Sequence, residues 1–448
     1  MSQLAEHPSV KRFRERAAAS PPGPPPVLAA QELREMCLAA GADDVGFVDC
    51  GRAELGRERD DILRFFPHTK SLISFVVRLN REPIHNPARS VANLEFHHTG
   101  DRVNETARTI VATLEARGIR AINPSMGFPM EMVQAGAGKL WLVSHKTVAV
   151  AAGLGQMGIH RNVIHPRFGN FILLGTVLVD AEISQYHQPL DYNPCVECKL
   201  CVAACPVGAI GADRSFNFSA CYTHNYREFI GGFTNWVEQI ADSKSAADYR
   251  RRVSDPESAS MWQSLSFGAN YKSAYCMGVC PAGDEVLAPF LTNRAQYLKE
   301  VVKPLQELEE TVYVIPKSDA EEYVPHHFPN KHIKRVGNSL NRLRSISSFL
   351  FGLPLSFQRG QSKGLKANYH FTFTGAEERK ATVTIQDQKL EVTEGHNGKA
   401  DIVITADSKT WLGFLAKEKN LVWALLSRKI RIKGSPRLLL AFGKCFPA

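Results

Sequence analysis

The sequence predicts a mixed α/β chain of several domains that ends in a separate α+β unit. Three observations carry this reading. Between residues 31 and 180, short β-branched and apolar runs alternate with segments of helical periodicity, the pattern of an α/β domain. From Cys195 to Pro206 the chain reads Cys-Val-Glu-Cys-Lys-Leu-Cys-Val-Ala-Ala-Cys-Pro, a C-x2-C-x2-C-x3-C-P run that marks a compact cysteine-bearing domain. Beyond residue 364, four strand patterns are followed by two helical ones, a strand and a last helix. A chain of 448 residues is long for one core, so roughly two to four domains are expected.

The first 28 residues form a basic leader, with Lys11, Arg12, Arg14 and Arg16 followed by a proline-rich stretch from Ser20 to Pro26. No apolar segment follows the basic residues, so neither a secretory nor a twin-arginine signal is expected. The α/β core spans residues 29–190. A helix is predicted over Gln31–Ala40, closed by Gly41, and strands over Asp44–Asp49 and Leu72–Leu79. An amphipathic helix is predicted over Arg102–Arg117, ended by Gly118, and a buried strand over Phe171–Asp180.

Composition excludes some classes. With 44% apolar and 22% charged residues the chain reads as a soluble globular protein, and runs such as Phe171 to Val179 fall short of the roughly 20 residues that span a bilayer. The formal charge of +9 invites a nucleic-acid reading, but the excess is local, at the N-terminus and between Lys331 and Lys366, so no nucleic-acid partner is expected. Cysteines in metal spacing without an export signal point to a reducing cytoplasm.

In the cysteine run, the thiolates of Cys195, Cys198 and Cys201 can reach three corners of one cubane, while Cys205 leaves for a second cluster. Cys221 and Cys276-Met-Gly-Val-Cys280-Pro281 supply the fourth ligand of the first cluster and more for the second. A zinc site would pair C-x2-4-C with a distant second pair, which does not match. Two four-iron clusters need eight cysteines and this set has seven, with Ser273 standing where the missing one would fall. The second cluster is therefore 3Fe-4S, or 4Fe-4S with a non-cysteine or solvent ligand. Cys37, Cys50 and Cys445 read as ordinary buried thiols.

Gly153, Gly155 and Gly158 have a shape like G-x-G-x-x-G. A dinucleotide site also wants a preceding strand and an unbroken helix, and His165-Pro166 and Gly169 break the latter. The glycines are expected instead to let the backbone approach a large flat ligand.

From Lys146 to Asp180 the chain reads Ala-Gly-Leu-Gly-x-Met-Gly, His-Pro-x-Phe-Gly-Asn and Leu-x-x-Val-Leu-Val-Asp. Followed by the cysteine run and lone Cys221, it resembles the family of reductive dehalogenases and epoxyqueuosine reductases over about Ala29 to Phe290. The resemblance implies a nitroreductase-like α/β core that holds base-off cobalamin, with an inserted ferredoxin-like two-cluster domain over residues 191–290. The cluster of Cys205, Cys221 and Cys276 would lie nearest cobalt. Corrinoid contacts are expected from Lys146, Gly153, Gly155, Gly158, His160, Arg161, His165 and Gly169. The chain departs from the family at the proton donor. It has no tyrosine before Tyr186, and the position fourteen residues before Gly153 is Lys139, with no acid nearby. His97 and His98 are therefore the first candidate donors. Tyr222 and Tyr226, in an aromatic insert over residues 222–275, are the second.

Residues 291–363 read as a helical region and a basic linker, with no Asp or Glu between Tyr323 and Ala376. The segment 331–366 is expected to pack across two domains or to touch an anionic membrane surface. Residues 364–448, with Trp411-Leu-Gly-Phe-Leu and Ala424-Leu-Leu-Ser-Arg-Lys-Ile-Arg-Ile-Lys-Gly, resemble a sterol carrier protein 2 domain, which implies a tunnel for a lipid or other hydrophobe. The expected whole is a cytoplasmic cobalamin- and iron–sulfur-dependent reductase of a hydrophobic small molecule, acting by dehalogenation or related cleavage. It would be fed by an external donor such as ferredoxin or flavodoxin. The alternative is a non-catalytic two-cluster electron carrier fused to a lipid-binding module.

Overall fold

The computed structural model describes residues 2–19, 27–131, 141–337 and 343–447. The proline-rich stretch up to Pro26, Lys139 and Arg342 lie outside the described residues. Among those described, no helix is long and apolar enough to cross a membrane.

Four strands form the first sheet, in the order Asp44–Asp49, Ser71–Arg78, Ile172–Val179 and Ala121–Ile122. Every pairing is antiparallel. Strand–helix alternation does not make parallel crossovers here, because apolar runs report that both faces of a sheet are covered and say nothing of strand direction. Side chains alternate across the sheet. Phe47, Phe75, Val77 and Val177 face Leu33, Val103, Ile110 and Leu114 on one side. Val48, Leu72, Val76 and Leu178 face Ile62, Val148, Ala149 and Ala152 on the other. Three layers result.

The helix Arg89–Ala116 runs 28 residues and starts well before the expected Arg102. Its first half buries polar groups, which hid it from an apolar-period reading. Asn93 exchanges two side-chain hydrogen bonds with the backbone of Tyr271, at 3.0 and 2.9 Å, and so ties this helix to the aromatic insert.

The cysteine-bearing domain is closed by helices between Asp284 and Gln306 and by a parallel strand pair, Thr311–Val314 with His332–Arg335, which the sequence did not signal. Four basic residues of the linker are paired. Buried Lys331 donates to Glu310 at 2.7 Å, Lys334 pairs with Glu257, Arg335 with Glu321, and Arg359 with Asp213. Its apolar helix, Ile346–Ser356, buries Ile346, Phe349 and Leu353 in the C-terminal core. The described residues of segment 331–366 thus pack across domains.

The C-terminal sheet orders Lys389–Glu394, Arg379–Gln386, Ala367–Thr374, Ile402–Asp407 and Ile430–Gly434, with one parallel pairing, Ala367–Thr374 with Ile402–Asp407. Phe349 stands edge-on to Phe371, Phe373 and Trp411, so aromatic rings pack the core of this domain. Gln358 joins this domain to the rest. It is fully buried, its amide donates to the Cys445 carbonyl at 2.9 Å, and its Oε1 accepts from Asn217 Nδ2 at 3.2 Å and the Asp319 amide at 3.1 Å.

Candidate functional site

The cysteine loop owes its shape to two left-handed residues, Glu197 at φ 48° and Lys199 at φ 61°. Alternating right- and left-handed residues turn successive amides toward one concavity, a shape suited to an anionic cluster. Cys195, Cys198, Cys201 and Cys280 line one small cavity together with Ile159, His160 and Ala282. Burial pushes the thiols of Cys198, Cys201 and Cys280 up, and the amides of Leu200 and Ala282 donate to Cys198 and Cys280.

Cys205, Cys221 and Cys276 form a second group. Cys205 Sγ accepts from the Ala209 amide at 3.2 Å. Cys221 sits on the helix Phe218–Asn225, whose first turn is capped by Asn217 Oδ1 at 3.0 Å from the Ala220 amide. Burial and then Cys205 and Cys276 push the Cys221 thiol up, while Lys146 opposes them. Cys276 is held at about 12 by burial and Cys205, and it in turn raises Cys201 and Cys280 of the first group. The two groups are therefore neighbours. Ser273 is bound elsewhere: its amide and hydroxyl both donate to Asn225 Oδ1, at 3.0 and 3.1 Å.

Beside the second group lies Lys146. Lys146 is accessible to water yet surrounded by protein, as a group on a cleft floor is, and burial lowers its pKa while Cys276 and Cys221 oppose that shift. Its Nζ donates to the Arg161 carbonyl and to Asn162 Oδ1, both at 2.8 Å. Tyr226 stacks on Tyr222 at 6.0 Å and meets Tyr271 edge-on at 5.6 Å. Burial, then Tyr271, Cys221 and Cys276, raises its pKa well above the usual phenol, so it keeps its proton.

The expected site residues divide. Lys146, Tyr222 and Tyr226 come together with Cys221 and Cys276. His97 and His98 do not share a face of their helix. His98 is exposed, and His97 packs on Gly268 and lies 3.4 Å from Asn270 Oδ1. His165 is an internal buttress, 3.0 Å from Asp44 and stacked on Phe168. Burial opposes the Asp44 charge, but hydrogen bonds from His165, Arg34 and the Val45 amide outweigh it and hold the carboxyl at about 2.

The glycines lie close against the backbone of their own chain. A Cβ at Gly153 would meet the Gln188 carbonyl at 2.3 Å, and one at Gly155 the Ile164 carbonyl at 2.4 Å. At Gly169, φ 65°, it would meet the Ala282 carbonyl at 1.9 Å, and at Gly283 it would meet the Gly169 amide at 2.3 Å. These two segments are also laced by the Asp284 and Glu285 amides, which donate to the carbonyls of Pro166 and Arg167 at 2.9 and 3.0 Å. His160 moves from the flat-ligand face to the first cysteine cavity, where its ring fills the space beside Gly158. Sequence reasoning missed Asn162 and Asn225. The latter had one signal, its place one helical turn after Cys221.

All ten cysteines are free thiols. Among the described residues, no three His, Cys, Asp or Glu side chains lie close enough to share a single metal ion. Thiols spread around a cavity and met by backbone amides fit a polynuclear cluster, whose thiolates bind different irons.

Comparison with known proteins agrees. The 4Fe-4S binding domain model matches residues 189–211 and the SCP-2 sterol transfer family model residues 356–447. Epoxyqueuosine reductases of Cellulophaga algicola and Cyclobacterium marinum are 29% and 32% identical over 103 residues, covering 21% of this chain and 33% of theirs. The chain thus spans about a third of the length of these curated relatives. Among solved structures, an epoxyqueuosine reductase from Streptococcus thermophilus is 17% identical, covering 61% of this chain and 75% of its own, with a TM-score of 0.34. A reductive dehalogenase described for B12-dependent dehalogenation is 13% identical, covering 64% and 39%, with a TM-score of 0.38. The expected kinship and the two expected modules are borne out by the sequence matches. An epoxyqueuosine reductase solved with an epoxyqueuosine-modified tRNA-Tyr stem loop is 15% identical, covering 74% of this chain and 91% of its own, with a TM-score of 0.35.

Proposed function

We propose that this protein is an iron–sulfur reductase in which two neighbouring clusters feed electrons to the Lys146–Tyr226 cleft. The observation that carries the reading is Cys276, which is coupled at once to Cys201 and Cys280, to Cys205, and to Lys146 on the cleft floor. Electrons enter at a 4Fe-4S site on Cys195, Cys198, Cys201 and Cys280, where Val196 is 45% exposed to a donor such as ferredoxin or flavodoxin. They leave through Cys205, Cys221 and Cys276, which hold a second cluster of three or four irons.

Cobalamin is the cofactor proposed for the cleft. An open floor bearing a cation, with phenol and phenyl walls, fits a large ring with a polar rim. Lys146 and Arg161 would hold it, and the corrinoid would supply a strongly reducing cobalt when bound. Burial works against the charge on Lys146 while Cys276 and Cys221 favour it, and hydrogen bonds to Arg161 and Asn162 fix its position. Tyr226 keeps its proton until a substrate needs one. A hydrophobic small molecule is proposed as substrate, on the strength of the SCP-2 match, and a reducing cytoplasm as the compartment.

The visible spectrum of anaerobically reconstituted protein with added cobalamin tests this. Stoichiometric corrinoid bands are expected. Intact clusters without corrinoid at saturating cobalamin would leave an electron carrier, and turnover of a tRNA fragment but of no hydrophobe would replace the substrate class.

A further inference from the structure

We propose that His160 donates a hydrogen bond from Nε2–H to the cluster held by Cys195, Cys198, Cys201 and Cys280, and so raises its reduction potential. The inference rests on the cluster-bearing reading of those four cysteines. His160 lines the same cavity as all four. Its side chain is almost wholly enclosed, at 3% exposure, yet Nε2 has no hydrogen-bond partner. A buried ring nitrogen without a partner is rare and calls for an unseen one.

The ring's chemistry says what that partner is. Nδ1 accepts the Asn162 amide at 3.1 Å, so it carries no proton, and the proton of the neutral ring sits on Nε2. Nε2 is thus a donor, which rules out iron ligation by that nitrogen in this tautomer and calls for an acceptor. The sulfurs of the cluster are the acceptors this cavity would hold. Three neighbours fix the arrangement. Gly158 leaves the space the ring occupies, since a Cβ there would meet His160 Cε1 at 2.8 Å. Asn162 orients the ring, and the same Asn162 takes a hydrogen bond from Lys146, linking the ring to the cleft floor. A hydrogen bond to a cluster sulfur favours the reduced, more negative state, so it raises the potential. His160 is therefore a positioning and tuning residue, not a ligand.

The test is a reductive titration of full-length protein, reconstituted with iron and sulfide and followed by EPR. In His160→Leu, the reduced-to-oxidised ratio of this cluster at a fixed potential is expected to fall about tenfold, about 59 mV for a one-electron couple. His160→Gln, which keeps an N–H donor, should lose less. Gly158→Ala, which displaces an intact imidazole, should shift the ratio the same way. An unchanged midpoint in His160→Leu overturns the proposal. Should the leucine variant lose its cluster, wild-type protein labelled with 15N-histidine decides. A nitrogen coupling on the reduced cluster that disappears in His160→Gln supports it, and no coupling overturns it. Iron and sulfide content of the wild type is measured first, because absence of a four-iron cluster there removes the underlying reading instead.

Discussion

Ser273 donates its hydroxyl proton to Asn225 Oδ1 at 3.1 Å, and the amides of Ser273 and Ala274 converge on the same oxygen. The position that lacks the eighth cysteine is thus tied to the helix that carries Cys221. With its hydroxyl so engaged, Ser273 is not needed as a cluster ligand. Ser273→Ala is expected to leave the EPR spectrum of the oxidised second cluster unchanged, at a cost of about 1 kcal/mol for the lost hydrogen bond. A changed or missing signal would make the serine a ligand.

Asn225→Leu removes the acceptor of three hydrogen bonds and leaves buried amides unpaired, each at a cost of roughly 1–3 kcal/mol. The loop that presents Cys276 should loosen. Iron analysis after reconstitution should report loss of the second cluster with the first retained.

Tyr226→Phe removes the phenol beside Cys221 and Cys276 without disturbing its ring stack. Turnover should fall roughly a hundredfold or more, the usual contribution of a general acid, with cluster and corrinoid content unchanged. His98→Ala, on an exposed face, should leave turnover as it was.

Asp44 gives a pH signature in the core. Its carboxyl, held at about 2, contributes stability that is fully present above the ordinary carboxylate range near 3.9 and is lost as pH falls through 2. Asp44→Asn should cost about 2 kcal/mol at pH 7 in urea unfolding of the core, and the difference from wild type should vanish below pH 2.

Gln358→Ala empties a fully buried joint and strands the Asn217 side-chain donor and the Asp319 amide. Cleavage between the C-terminal domain and the rest under limited proteolysis should speed up. Because Asn217 also caps the Cys221 helix, second-cluster content should fall modestly in the same variant.

What was legible in the sequence follows from what local chemistry decides. Strand Asp44–Asp49 spans the expected residues, and the two helical patterns beyond residue 364 form helices Ser408–Leu415 and Leu421–Leu426, whose first turns Asp407 and Asn420 cap. The cysteine groups were legible too, since spacing alone assigns Cys205 away from its three neighbours. The start of the Arg89–Ala116 helix was not, because Asn93, Thr99 and Gly100 are buried and break the apolar period. Nor was the role of the glycine run. Whether a glycine makes room for a ligand or for a carbonyl of its own chain depends on Gln188, Ile164 and Ala282, which arrive only on folding.

The interlock of Gly169 with Gly283 makes the cysteine-bearing segment a poor candidate for grafting. A chimera that transplants residues 191–290 into another scaffold would cut between two backbones that fit only each other, and would strip Ala282 and Gly283, just past Cys280, of their seat against Gly169. Breakpoints that carry both stretches together are the ones from which a portable electron relay could be built.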